Sequence, residues 1–178
     1  MAEEAVVPAS EAVSLQRATP DMAPVLRHLL ELYVHDLSEI FPIELGSDGL
    51  FGYDKLPLYW ARPDLHHAFL ITEGSHVAGF ALATRGSPAS ENPEDLDVAE
   101  FFVLRGHRRS GVGRLAAVAL WDALPGNWVV RVSEANPAGL PFWSDVIRSY
   151  TSGDFVESAR PEGWRVFRFA STAWRTAY

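Results

Sequence analysis

One junction constrains this chain more than any other. Residues 97–104 (DVAEFFVL) read as a strand, residues 111–124 read as a helix, and between them Arg108 to Gly113 spells R-x-x-G-x-G. A helix that opens on glycines after a strand and a short loop presents unpaired backbone N–H groups and the positive end of its dipole, and the glycines let a ligand approach closely. Four of the 15 Lys and Arg residues, namely Arg105, Arg108, Arg109 and Arg114, fall within ten positions there, although the chain carries a formal charge of −8. Arg108, Arg109 and Arg114 add bidentate donors to that helix start. Positive charge gathered at one helix N-terminus of an acidic protein suits a small anion. The negative total argues against a broad nucleic-acid surface, but a local loop acts on whatever lies within a Debye length of roughly 8–10 Å.

The rest of the chain alternates strands and helices. Residues 13–18 alternate as a strand, and Thr19-Pro20-Asp21 signals the start of a helix over about 22–39. Strands over 68–72 and 77–84 are joined at Glu73-Gly74-Ser75, a hairpin signal. A polar, Pro-broken loop over 86–94 leads into the 97–104 strand. The 111–124 helix is apolar nearly all round and is expected to be buried. A strand at 128–133, a helix at 137–150 and strands at 155–158 and 164–170 follow. These elements predict a single α+β domain over 13–178 with a mixed sheet, preceded by a flexible polar extension over 1–12. Hydrophobic residues at 48% and charged residues at 21% fit a folded domain of this size.

The chain has no cysteine, which excludes disulfides, thiol nucleophiles and thiolate metal sites. His66 and His67 are adjacent, so a strand faces them oppositely, and no H-E-x-x-H occurs; no metal is expected. Neither a basic-apolar leader nor a membrane-length apolar run is evident, and a cytoplasmic, membrane-free location is expected.

Gly111 to Ala116 also spells G-x-G-x-x-A, a dinucleotide fingerprint, with Glu134 downstream as a ribose partner. The context disagrees. Seven residues separate Val103 from Gly111, where that fold turns almost directly, and only 44 residues follow Glu134. A phosphate loop of the Gly-Lys-Ser/Thr type fails because no such triplet follows the glycines.

With the strand before it, the R-x-x-G-x-G loop resembles the acyl-CoA loop of the GNAT-type N-acetyltransferase superfamily. Asn136-Pro137-Ala138-Gly139-Leu140-Pro141-Phe142-Trp143 is similar to the Asn-Pro-Ala segment that opens that family's next helix. The element order agrees over about 13–170. The resemblance implies a mostly antiparallel sheet of six or seven strands flanked by helices, with two central strands splayed apart. It implies acetyl-CoA or another acyl-CoA as co-substrate, held by the backbone at Phe101, Phe102 and Val103 and by Arg108, Arg109, Ser110, Gly111, Val112, Gly113, Arg114, Asn136 and Trp143. The implied reaction moves a short acyl group to a primary amine of a small molecule or peptide. A carrier-protein or aminoacyl-tRNA donor, and a non-catalytic acyl-CoA-binding domain, are the alternatives. Related folds often dimerise, so the resemblance allows a homodimer, while the sequence by itself sets no oligomeric state.

The chain departs from the family twice. Trp143 stands where a tyrosine often protonates the departing thiolate, and an indole N–H cannot do this. Arg131 stands where many members carry a glutamate, and an arginine cannot act as a base; it is a candidate to bind the acceptor instead. A base is sought at Glu100, with Asp97 as second choice. Strand alternation sets the two on opposite faces unless a bulge intervenes. Tyr33 and His35, at the end of the first helix, are further acceptor-side candidates.

Overall fold

The computed structural model describes residues 12–171. The expected extension at 1–12 falls outside them except for Ala12, as does the segment 172–178. Seven strands form one sheet: β1 Val13–Arg17, β2 His66–Glu73, β3 His76–Arg85, β4 Leu96–Val103, β5 Asn127–Ser133, β6 Val156–Arg160 and β7 Trp164–Ala170. They lie in the order β1-β2-β3-β4-β5-β7-β6. Every neighbouring pair is antiparallel except β4–β5.

Helices cover both faces. On one side α1 (Ala23–Leu37) and α2 (Leu58–Ala61) bury Leu26, Leu29, Leu30 and Tyr59 against Leu70, Phe80, Leu82 and Phe102 of the sheet. On the other, α3 (Val112–Ala123) and α4 (Gly139–Thr151) bury Ala117, Leu120, Trp121, Val146 and Ile147 against Val98, Val130 and Phe167. The expectation of a fully buried α3 is corrected here. It buries one stripe, and Leu115 on the opposite side is 51% exposed, because α3 packs on a single sheet face with solvent behind it.

Two features of β4 build the site. The parallel contact with β5 covers only Leu96–Trp128 and Asp97–Val129; beyond it the strands part. Just past that point β4 carries a bulge: Leu82 opposes Glu100 and Ala83 opposes Val98, so Ala99 has no partner of its own. An extra residue bends a strand and resets its side-chain alternation. β3 is held close to β4 by Gly79, where an added Cβ would lie 2.0 Å from the Phe102 carbonyl oxygen.

Candidate active site

The gap between β4 and β5 opens into a cleft of about 970 Å³. Its walls come from the end of α1, the second half of β4, the loop into α3 and the start of α4. β4 turns polar backbone toward this cleft in alternation. The Leu104 N–H donates to the Ala78 carbonyl across the β3 pair, 2.8 Å. The antiparallel ladder therefore also spends the Phe102 N–H on β3, while those of Phe101 and Val103 point into the gap. Of the three residues expected to offer backbone donors, two are free to do so.

At the cleft's far end the chain makes the turn that the glycines foretell. Arg109 and Gly111 have φ of 65° and 92°, left-handed values, and Gly111 caps α3. The first-turn N–H groups of α3 have no intrahelical acceptor and face the cleft mouth. Gly113 serves packing: a Cβ there would meet the Phe142 ring at 3.3 Å, so its bareness lets α3 approach α4. Val112 is buried and packs with Ile71, Ala78 and Ala116, so only its backbone is available. Ser110 is exposed and its hydroxyl donates to the His107 carbonyl, 2.9 Å. Asn136 caps α4, its Oδ1 accepting the Gly139 N–H at 2.8 Å. Trp143 is 9% exposed and packs edge-on to Phe101 and Phe142, forming part of the cleft wall.

The loop arginines are not all idle. Arg108 donates from Nη2 to Asp36 Oδ2 at 2.6 Å and from Nε to the Val103 carbonyl at 2.7 Å, with its guanidinium 5.5 Å from the Phe102 ring centre. Arg105 donates to the other Asp36 oxygen at 2.7 Å. Burial raises the Asp36 carboxyl, but the hydrogen bonds and charges of Arg105 and Arg108 outweigh it and hold the group below the usual carboxylate range. Arg114 reaches Asp145 at 3.5 Å, both well exposed. Arg109 lines the cleft and is exposed.

On the α1 face of the sheet lies an ionisable cluster. The bulge at Ala99 places Asp97 and Glu100 on the same face, against simple alternation. Tyr33 donates to Glu100 Oε2 at 2.7 Å and Tyr53 donates to Oε1 at 3.1 Å. Burial pushes the Glu100 carboxyl above its ordinary range, although the two hydroxyls and the charge of Arg131 pull the other way. Burial, then the charge of Glu100, pushes the hydroxyls of Tyr33 and Tyr53 up in turn. The hydroxyl of the buried Tyr59 is pushed up as well, chiefly by burial.

Arg131 and Asp97 are occupied with each other. Arg131 donates from Nε and Nη2 to the two Asp97 oxygens at 2.9 and 2.8 Å, and the Ser87 hydroxyl also donates to Asp97. Asp97 is completely buried. Asp97, the second choice of base, therefore sits inside the sheet layer with Arg131 and Ser87 as its partners and does not line the cleft. Arg131, the acceptor-side candidate, commits Nε and Nη2 to Asp97 and is not among the residues that line the cleft. Tyr33 lines the cleft; His35, on another side of α1, is exposed and lies edge-on to Phe51 instead.

Tyr53 and its support escape the sequence. Glu31 on α1 accepts the N–H groups of Phe51 (2.7 Å) and Gly52 (3.0 Å), with Gly52 at φ 74°, and so sets Tyr53 over the sheet. A loop residue with no periodicity gives no signal for this. Among the described residues no group of three or more His, Asp or Glu is placed to hold a metal, and no helix is long and apolar enough to cross a membrane.

No protein-family model matches the chain, and no curated protein matches it in sequence. Solved structures do. An acetyltransferase from Thermus thermophilus is similar with a TM-score of 0.67 at 21% identity, covering 90% of this chain and 100% of that one. The aminoglycoside acetyltransferase AAC(6')-Ib in complex with coenzyme A gives 0.62 at 15% identity, covering 93% and 98%. FdhC, a nucleotide-linked sugar GNAT, gives 0.62 at 12% identity, covering 94% and 91%. The seven-stranded, mostly antiparallel sheet, its parted β4–β5 pair and these likenesses agree: the chain has the fold of the GNAT acetyltransferases.

Proposed function

We propose that this chain transfers an acetyl or other short acyl group from acyl-CoA to a primary amine of a small molecule or peptide, by direct attack. The observation that carries the reading is the parting of β4 from β5 after two paired residues. It leaves the Phe101 and Val103 backbone donors facing a cleft that ends at the N-terminus of α3. That arrangement fits an extended thioester whose arm pairs with a strand edge and whose diphosphate meets helix N–H groups, Arg109 and Arg114.

The chain's own residues then have separate tasks. Backbone N–H groups of β4 stabilise charge developing on the thioester oxygen. Glu100, held by two hydroxyls and raised by burial, takes the proton of the attacking amine by way of the Tyr33 hydroxyl, which lines the cleft and passes its own proton to the carboxylate as it accepts the amine's. The Asp97–Arg131 pair holds the floor beneath it. Positioning alone supplies roughly 7–11 kcal/mol of barrier reduction, and acid–base assistance a further factor of about 10²–10⁴. Arg108 must leave Asp36 to reach a diphosphate. Both arginines on Asp36 are solvent-exposed, so water screens the pair and it yields to a doubly charged ligand.

The test is release of free thiol from acetyl-CoA in the presence of a panel of primary amines. The chain contains no cysteine, so a thiol reagent reads product without background from the protein. Amine-dependent thiol release supports the reading; release no faster than hydrolysis with every amine rejects it.

A further inference from the structure

We propose, resting on the acyl-transfer reading above, that Arg108 couples the two ligands of the cleft: acyl-CoA draws it off Asp36, and the carboxylate so uncovered holds the second ammonium of a diamine or polyamine acceptor. Arg108 lies back over the Phe102 ring, 5.5 Å from its centre, with Nη2 on Asp36 Oδ2 at 2.6 Å and Nε on the Val103 carbonyl at 2.7 Å. The second bond matters as much as the first. The Phe102 backbone faces β3, so the Val103 carbonyl points into the gap, on the strand edge where the thioester's arm pairs. One side chain therefore covers both an edge acceptor for the donor and a carboxylate on α1.

With Arg108 turned to the diphosphate, the α1 wall is built for a cation on a hydrocarbon chain. Tyr33, Asp36, Leu37 and Ile40 recur at helical spacing and line the cleft, as does the exposed Glu39. Arg105 stays on Asp36 Oδ1 at 2.7 Å and fixes the carboxylate, while Oδ2 loses its partner. Two carboxylates against one guanidinium leave that wall negative. The Asp36 side chain is only 21% exposed, so its vacated oxygen is better served by a new cation than by water. Leu37 and Ile40 offer apolar surface to methylenes. Tyr33 and Asp36 stand one helical turn apart, with Cβ atoms roughly 5–6 Å from each other, a span that a chain of about three or four carbons between two nitrogens covers. An amine beside the Tyr33 hydroxyl thus reaches Asp36 with its second ammonium.

The two ligands then help each other. A diphosphate that takes Arg108 opens Asp36 to the diamine, and a diamine seated on Asp36 keeps Arg108 free for the diphosphate. Each raises the affinity of the other by the same factor, because the coupling passes through one shared side chain with two alternative partners. A monoamine has no group for Asp36 and gains nothing from the exchange.

The experiment is calorimetric titration of 1,4-diaminobutane and of butylamine, each with and without saturating coenzyme A, which carries the diphosphate but no acyl group to transfer. The unaltered chain, Asp36→Asn and Arg108→Gln are compared, with thermal midpoints measured alongside. In the unaltered chain coenzyme A is expected to tighten diamine binding about ten-fold and to leave butylamine within about two-fold. Arg108→Gln is expected to bind the diamine without coenzyme A within about three-fold of the unaltered chain's affinity with it, and to show no further tightening. Asp36→Asn is expected to bind coenzyme A more tightly but the diamine about ten-fold more weakly in its presence, and to lose a similar factor in kcat/KM for the diamine relative to butylamine. Equal diamine affinity with and without coenzyme A in the unaltered chain overturns the proposal, as does an Asp36→Asn variant that treats diamine and monoamine alike. Coenzyme A binding without this coupling defeats the proposal alone; no coenzyme A binding at millimolar concentration defeats the acyl-transfer reading and the proposal with it.

Discussion

Arg131 grips Asp97 through two parallel hydrogen bonds of 2.9 and 2.8 Å, and Asp97 is wholly withdrawn from solvent. The pair ties β5 to β4 at the last point where the two strands touch, since Asp97 is half of the final backbone pairing before they part. It is therefore the clamp at the root of the cleft.

Removing one partner strands the other. Asp97→Ala leaves a largely enclosed guanidinium without its carboxylate and is expected to cost about 3 kcal/mol, read from urea unfolding. Asp97→Leu combined with Arg131→Met restores most of that stability, because the cost lies in the unpaired charge. A single variant that loses less than about 1 kcal/mol would mean the pair behaves as a surface bridge.

Glu100 gives a signed pH dependence. Its carboxyl is raised in the folded chain, chiefly by burial. Between the ordinary carboxylate value and the raised one, the fold binds more protons than the unfolded chain does, so this group makes stability fall as pH rises through that window and leaves it flat above. The rate has the opposite slope, since the ionised form is the base. Its acid limb is expected above the ordinary carboxylate range, and Glu100→Gln should remove the limb with a loss of about 10²-fold or more in kcat. A limb that persists in the variant assigns it to another group.

On the proposed reading, Asp36 competes with acyl-CoA for Arg108. Asp36→Asn weakens both ion pairs and is expected to tighten acetyl-CoA binding by about three- to ten-fold, whereas Arg108→Gln weakens it by a similar factor. Calorimetry at low and high salt checks both. Weaker binding in Asp36→Asn would show that the carboxylate positions Arg108 for the ligand rather than holding it away.

Gly79 is where β3 meets β4 without a side chain. Gly79→Ala sets a methyl 2.0 Å from a backbone oxygen, which neither strand can yield without losing the ladder. The expected cost is roughly 3 kcal/mol, with a matching loss of acetyl-CoA affinity because the Phe101–Val103 edge moves. Unchanged stability would mean the two strands have slack that the register does not suggest.

The loop half of the candidate site, between β4 and α3, is legible in sequence because it rests on local rules. Gly111 sits at φ 92°, where glycine is favoured, the strand and helix flank it at short range, and Asn136 marks the next helix start. The ionisable half, around Glu100, rests on long-range fit. No pattern in DVAEFFVL announces a bulge at Ala99; it arises from how β4 matches β3, yet it alone brings Glu100 and Asp97 to one face. Tyr53 comes from a loop pinned by Glu31, and Arg131 is claimed by a carboxylate 34 positions earlier in the chain. The exposed side of α3, at Leu115, departs from expectation because apolar composition says how much a helix can bury, not how many faces have a partner.

The central claim is that the Arg108–Arg114 turn and the parted strands bind acyl-CoA. Its most direct test is calorimetric titration of acetyl-CoA into the unaltered chain and into Gly111→Glu, with thermal midpoints measured in parallel. The account predicts saturable binding at one site in the unaltered chain and its loss in the variant, whose carboxylate faces the diphosphate, with a melting midpoint lowered by only a few degrees. No binding at millimolar acetyl-CoA, or equal affinity in both chains, would contradict it.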